Sequence, residues 1–369
     1  MANVRVGFIG CGGIANGKHF PGMAQQEGVD MCAFCDLILE RAEKAAKEYG
    51  TPDAKVYTDY HELLADPTID AVHVLTPNVA HCEITVAALE AGKHVLCEKP
   101  MAATPADAKK MLEARDRTGK MLTIGYQYRH FPENQVAKKV VDSGVLGDIY
   151  YAEATYLRRR GVPTWGVFTD KAKQGGGPLI DIGTHALDLT LFLMNNYDVD
   201  YVCGTSFEKL GHTLDAKHQG QVNYRGEFDT WNNETYDVED SAVGFIKMKN
   251  GATIYLEASW ALNTLDVNEA KTILCGDKGG ADMLGKDGGL RINGEKYSKT
   301  FVTEPDLKMG GAAFFDGVTG GSPAGGPGVD RSCAGRFQSA RHQARAGLCG
   351  HADSGSHLPF RRDQPARLF

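Results

Sequence analysis

Val4-Arg5-Val6-Gly7-Phe8-Ile9-Gly10-Cys11-Gly12-Gly13-Ile14-Ala15 decides the fold. An apolar run stops at Gly10, and a G-x-G-x-x-A turn follows. The spacing predicts a strand, a tight turn and a helix. Gly10 permits the turn, Gly12 lets the backbone approach a pyrophosphate, and Ala15 lets helix and strand pack closely. The helix N-terminus then offers N–H groups to phosphate oxygens. The next apolar run, VDMCAFCD (29–36), ends in Asp36, 21 residues beyond Ala15. A carboxylate there accepts hydrogen bonds from the adenosine ribose and repels a 2′-phosphate. The expected cofactor is therefore NAD, with NADP disfavoured.

Three more short apolar runs follow: DAVHVLTP (70–77), KHVLCEKP (93–100) and MLTIGYQ (121–127). Amphipathic stretches separate them, each ending in glycine. Strands apolar throughout and alternating with helices imply a parallel sheet covered on both faces. Residues 1–125 thus read as a doubly wound Rossmann domain. From 126 to 318 the pattern becomes α+β with a large open, mostly antiparallel sheet. DIYYAEATYLRRR (148–160), SAVGFIKMKNG (241–251) and ATIYLEASWAL (252–262) are its strands. Lys249-Asn250-Gly251 joins the last two as a hairpin. One helix, Pro178 to about Met194, interrupts them, and 208–237 reads as a loop excursion.

The tail, 319–369, differs. No glutamate follows Glu304 and no lysine follows Lys308, yet seven arginines lie between 309 and 369. GGSPAGGPG (320–328) is low in complexity. A one-base shift of frame permits a strand-like run and an amphipathic helix of balanced charge. The tail therefore reads as a frameshift product that starts between about Asp316 and Gly321 and is poorly ordered.

Composition limits the function. The chain has 369 residues and a net charge of −7, without the basic face of a duplex nucleic-acid binder. No apolar run reaches the ~18 residues of a membrane span. A strand that begins almost at once leaves no room for a signal peptide. Nine scattered cysteines fit free thiols in a reducing cytoplasm.

Three motifs carry the chemistry. Thr76-Pro77-Asn78, with His81 one turn on, ends a strand at the sheet's carboxyl edge, where ligands bind in such folds. Asn78 can cap the next helix, and His81 alone reads as a surface histidine. Glu98-Lys99-Pro100 ends the next strand and puts a lysine in the cleft. A proline there allows a cis Lys99–Pro100 bond. Gly175-Gly176-Gly177-Pro178 then opens a helix on which Asp181 and His185, four apart, share a face. Asp188 lies near enough to orient the imidazole. No third ligand appears at sensible spacing, so acid–base work is expected there and no metal. Cys32 and Cys35 fall in one strand with side chains on opposite faces, as core rather than redox or zinc ligands. Alternation puts Arg158 and Arg160 on one face at a strand end.

The chain resembles the glucose–fructose oxidoreductase / inositol dehydrogenase / MocA (Gfo/Idh/MocA) family of NAD(P)-dependent oxidoreductases. The resemblance runs from about Val4 to Val318. It rests on GCGGIA (10–15), CD (35–36), TPN with His81, AGKHVLCEKP (91–100), GYQYRH (125–130) and GGGPLIDIGTHALD (175–188). It implies a catalytic constellation of Lys99, Asp181 and His185. The matching cofactor positions are Gly10, Gly12, Gly13, Ile14, Asp36, Thr76, Asn78, His81, Glu98, Lys99 and Gln127. Tyr128, Arg129, Tyr156, Arg158 and Trp165 are expected to line a sugar pocket. The implied activity is hydride transfer between nicotinamide and a secondary hydroxyl of a sugar, cyclitol or related polyol. The implied assembly is a homodimer or homotetramer through the open sheet. Two alternatives use the same fold: an NAD-dependent glycoside hydrolase working by transient oxidation and elimination, and a non-enzymatic NAD-binding sensor.

Overall fold

The computed structural model describes residues 3–213, 236–265, 267–283 and 289–306. These fall into two compact units that part after Gly125. The tail with its inferred frameshift, and most of the 208–237 excursion, lie outside the described residues.

The first unit is a six-stranded parallel sheet of β1 (Val4–Ile9), β2 (Val29–Cys35), β3 (Lys55–Tyr57), β4 (Ala71–Val74), β5 (His94–Cys97) and β6 (Leu122–Ile124). Their spatial order is β3-β2-β1-β4-β5-β6. The order reverses between β1 and β4, the switch point at which doubly wound sheets bind ligands. A π-helical turn (Ala15–His19) leads into α1 (Phe20–Met23). After it come α2 (Leu39–Tyr49), α3 (Tyr60–Ala65), α4 (His81–Glu90) and α5 (Pro105–Thr118). Local chemistry sets the ends of α5: the Thr104 side chain accepts the Asp107 N–H, Pro105 opens the first turn, and Gly119 closes the helix at φ 67°.

Apolar strands need cover on both faces, and two core clusters supply it. One centres on Phe8, whose ring lies 5.1 Å from Phe20 and 5.5 Å from Phe34. The other holds Cys32, Cys35 and Cys97. The two cysteines of the C-x-x-C run therefore do not point to opposite faces. The register of β1 on β2 jumps from Val6↔Met31 to Gly7↔Ala33. Cys32 is the bulged residue, which breaks the alternation. Both thiols are free, buried and pushed up by that burial, to about 11 for Cys32 and about 12 for Cys35.

The second unit is an eight-stranded sheet. Its strands are β7 (Ile149–Leu157), β8 (Val199–Phe207), β9 (Ser241–Met248), β10 (Thr253–Ser259), β11 (Lys271–Gly276), β12 (Gly279–Met283), β13 (Leu290–Lys296) and β14 (Lys299–Thr303). They lie in the order β14-β13-β12-β11-β7-β10-β9-β8. The pairs are antiparallel except β7 with β10. The expected hairpin forms at Gly251, φ 94°, with Asn250 Oδ1 accepting the Ala252 N–H. Ala152, Ala154 and Tyr156 of β7 share one core cluster with residues of α6 (Pro132–Asp142) and α8 (Thr184–Met194). A short α7 (Lys171–Gln174) and a π-helical turn (Leu179–Gly183) precede α8. The sequence pattern had yielded one helix and three strands here. α6, β8 and β11 to β14 are additional, and β11, β12 and β13 each contain glycine.

Burial fixes a pH response in the first unit. His73 is 1% exposed, and its pKa is lowered well below 6.5 by desolvation and then by the charge of His19. His81 and His94 shift the same way, first through burial. The folded chain leaves these rings neutral while the unfolded chain protonates them near pH 6.5. Stability present above that pH is thus lost as pH falls below it. The unfolding midpoint should fall progressively from about pH 6.5 downward, and less steeply in His73→Leu. Thermal melts across the range check this, and a flat midpoint would refute it.

Candidate active site

In the first unit every candidate residue sits past the carboxyl end of a strand. Gly10 follows β1 at φ 99°, where an added Cβ would lie 2.6 Å from the Leu75 carbonyl oxygen. Only glycine fits. At Gly12 an added Cβ meets nothing within 4 Å, so that side of the loop is an open cradle. Asp36 holds the loop: its Oδ2 accepts the Cys11 N–H at 2.8 Å and its Oδ1 the Ile38 N–H at 2.9 Å. The Asn16 amide donates to the Cys11 and Gly12 carbonyls, each at 2.8 Å. Ala15 is fully buried against the sheet. The residues present fit a bound dinucleotide, with Gly10, Gly12, Gly13 and Ile14 at the turn and Asp36 beside it.

Two expectations for the Thr76 loop are corrected. Asn78 is buried and is not the N-cap of α4, a position taken by Ala80 without a side-chain bond. His81 is no surface residue. It is fully buried, with Nδ1 2.8 Å from the Pro100 carbonyl oxygen and Nε2 2.9 Å from that of Thr76. Both nitrogens face the protein's own backbone, so His81 ties the Thr76 loop to the Pro100 segment. Beyond β5 the Glu98 N–H donates to the Val74 carbonyl at 2.9 Å. Its Oε2 accepts the Lys99 N–H at 3.1 Å and its Oε1 faces His19 Nε2 at 2.8 Å. The Lys99–Pro100 bond is cis, and Lys99 itself is half-buried.

The second unit gathers the other half of the candidate chemistry. Asp181 lies in the π-helical turn, a form that recurs at functional sites. Glycines admit the turn: an added Cβ on Gly177 would lie 2.1 Å from the Glu239 carbonyl oxygen, and one on Gly183 2.9 Å from Ala258 Cβ. The Glu239 carboxylate accepts the N–H groups of Gly177 at 2.8 Å and Leu179 at 3.2 Å. The fully buried Trp260 donates its indole N–H to Asp181 Oδ2 at 3.1 Å. His185, on the first turn of α8, packs 5.0 Å from the Tyr128 ring. Tyr128 and Tyr156 share a hydroxyl contact at 3.4 Å, and burial pushes the Tyr128 phenol well above its ordinary range. Arg158 stacks on Tyr156 and donates to Glu269 at 3.0 Å. Burial opposes the Arg158 charge, while Tyr156, Glu269 and Asp181 favour it, and its pKa is raised.

Tyr128, Tyr156, Arg158, Asp181 and His185 are therefore neighbours within one unit. Arg129 and Asp188 are not part of that group. Arg129 Nε donates to Asp188 Oδ2 at 2.8 Å, with a second bond from its terminal nitrogen to Oδ1. Its guanidinium lies 5.2 Å from the Phe192 ring centre. Asp188 thus anchors Arg129 and, contrary to expectation, does not orient His185. Arg160 donates to Asn263, whereas Arg158 donates to Glu269. Trp165 packs edge-on to Phe168, 6.0 Å away. Gln127 opens a 3-10 turn ahead of α6. No local pattern points to Glu239, Trp260, Glu269 or His19. All four lie more than 50 residues along the chain from the site groups they hold.

Residues 4–126 match the family model described as an oxidoreductase family with an NAD-binding Rossmann fold, and 134–282 match the Gfo/Idh/MocA C-terminal domain. The chain belongs to the Gfo/Idh/MocA oxidoreductase family. Its first unit is the family's Rossmann domain, and NAD is its cofactor. This Gfo/Idh/MocA protein is 40% identical over 281 residues to a D-glucoside 3-dehydrogenase of Escherichia coli K12, covering 76% of this chain and 77% of that one. It is 32% identical to the levoglucosan dehydrogenase of Pseudarthrobacter phenanthrenivorans, over 70% of this chain and 68% of that one. The match to the Salmonella typhimurium inositol 2-dehydrogenase is also 32%, over 52% of this chain and 55% of that one. Among solved structures, an oxidoreductase domain protein from Kribbella flavida superposes with a TM-score of 0.67 at 27% identity, covering 84% of this chain and 81% of that one.

The Arg129–Asp188 pair gives a stability prediction. Asp188 is nearly buried, and burial raises its pKa against the opposing pull of Arg129. Removing the guanidinium strands a carboxylate. Arg129→Ala should cost about 2 kcal/mol, less than a fully buried pair, read by urea unfolding. A substrate-binding role alone would leave stability unchanged.

Proposed function

We propose that this protein is an NAD-dependent dehydrogenase that oxidises a secondary ring hydroxyl of a D-glucoside or a closely related sugar. The observation that carries this reading is the grouping of Asp181 and His185 with Tyr128, Tyr156 and Arg158. The 40% identity to a D-glucoside 3-dehydrogenase supports the substrate class. His185 takes the hydroxyl proton, a task suited to an imidazole near neutrality. Asp181, held by Trp260 and the π-helical turn, accepts a hydrogen bond from a substrate hydroxyl. Lys99 binds the substrate oxygen and offsets the charge that develops on it. Gly12 and the turn around it bind the pyrophosphate, and Asp36 favours NAD over NADP. When bound, NAD⁺ supplies the acceptor for the carbinol hydride, leaving a ketone. Free thiols throughout the described residues support a cytoplasmic setting.

Methyl D-glucosides, levoglucosan and inositols, each supplied with NAD⁺, test the reading through absorbance of NADH. His185→Ala should lose turnover by about 10²-fold or more while the midpoint shift caused by NADH persists. Unchanged turnover would remove His185 from the role. Glycoside cleavage without NADH release would favour the hydrolytic alternative.

The assembly proposed is a homo-oligomer through the second unit's sheet. The face of β7 opposite the core carries Tyr151, Glu153 and Thr155. Together with Phe245, Tyr255 and Glu257 they line an open groove of about 390 Å³. Phe245 is half exposed, and aromatic side chains are enriched where subunits meet. Phe245→Arg should shift the sedimentation coefficient toward a monomer. An unaltered oligomer, or a wild-type monomer, would overturn this.

A further inference from the structure

The three residues Glu98-Lys99-Pro100 are held by buried groups on both sides of the lysine. On the near side, Glu98 Oε2 accepts the Lys99 N–H at 3.1 Å, and Oε1 faces His19 Nε2 at 2.8 Å. The Glu98 and His19 side chains are 13% and 12% exposed. His19 Nδ1 in turn meets His73 Nδ1 at 3.1 Å. On the far side, the Pro100 carbonyl receives His81 Nδ1 at 2.8 Å, and His81 Nε2 reaches the Thr76 carbonyl at 2.9 Å.

The contacts of the His19 chain can all be satisfied with one proton on each ring. Burial keeps His73 neutral. If His73 Nδ1–H donates to His19 Nδ1, then His19 Nε2–H donates to an ionised Glu98, and each ring carries one proton. Glu98 is then a fixed acceptor for the Lys99 N–H. The elements involved add to the argument. His19 ends the π-helical turn that begins at the glycine loop, and His81 opens α4 just after the Thr76 loop. Lys99 is thus tied through imidazoles to both loops of the cofactor cradle.

Buried polar groups are a costly way to hold a strand end, because each must be desolvated. Apolar packing anchors ordinary loops. A lysine side chain has four rotatable carbon–carbon bonds, so its ammonium is only as well placed as its backbone. We propose that His19, acting through Glu98, and His81 are positioning residues for Lys99, fixing its ammonium for the reaction. This rests on the role given to Lys99 in the proposed function.

A double-mutant cycle tests it. NAD⁺ reduction with methyl D-glucoside is compared for the wild type, Lys99→Ala, His19→Leu, His81→Leu and the two doubles with Lys99→Ala. NADH binding is followed by fluorescence. Each histidine variant should lower kcat by roughly 10- to 100-fold, the scale of a misplaced catalytic group. The loss should lie in kcat at saturating NAD⁺, and His19→Gln, which keeps a donor, should recover part of it. With Lys99 absent, neither histidine change should cost more than about twofold further, because groups acting as a unit are non-additive. The same losses in the presence and absence of Lys99 would overturn the proposal and leave the role of Lys99 standing. Full turnover in Lys99→Ala would overturn both. If a leucine variant does not fold, the glutamine variants His19→Gln and His81→Gln carry the cycle with the same criterion.

Discussion

The bond from the Cys11 N–H to the Asp36 carboxylate, 2.8 Å long, is the constraint on which the first unit's cradle depends. A loop with three glycines among Gly10, Gly12 and Gly13 has little to limit it. Tied to the end of β2, it takes one shape before any nucleotide arrives. Pre-organisation of this kind spares a bound ligand the cost of ordering the loop. The same carboxylate also receives the Ile38 N–H, so one side chain shapes the loops after β1 and β2 together.

The second unit solves the same problem differently. The Asp181 turn is held by groups it does not itself carry. Glu239 receives its leading N–H groups, and Trp260 supports its carboxylate from the core. In both units a half-buried carboxylate satisfied at close range replaces loop entropy with a fixed geometry. Asp240 does likewise nearby, its Oδ2 accepting N–H groups from Lys209, Leu210 and Gly211.

What could be read from the residues follows from range. The glycine turn, Asp36, the parallel strands and the pairing of Asp181 with His185 on one helix segment are local patterns, and periodicity and spacing report local structure. His81 was misread because nothing next to it in the chain marks burial; its partners are the Thr76 and Pro100 carbonyls. Asp188 was misread because its partner Arg129 lies 59 residues away. The bulge at Cys32 escaped because strand alternation assumes an unbroken register. The later strands of the second sheet, such as GGADM over β12, lack an apolar alternation strong enough to announce them. Resemblance to a known family supplied the roles of Lys99 and His185, which no pattern in this chain alone assigns.

The π-helical turn has a bearing on how this site tolerates insertion and deletion. Such a turn holds one residue more than the α-helical turn it replaces. Deleting a single residue between Leu179 and Gly183 would let the segment relax into continuous α-helix with its hydrogen bonding intact. Everything ahead of the deletion would then rotate about 100° relative to α8. Asp181 would swing off Trp260 while His185 stayed in place. The length of this segment therefore sets the spacing between Asp181 and His185, whatever residues fill it.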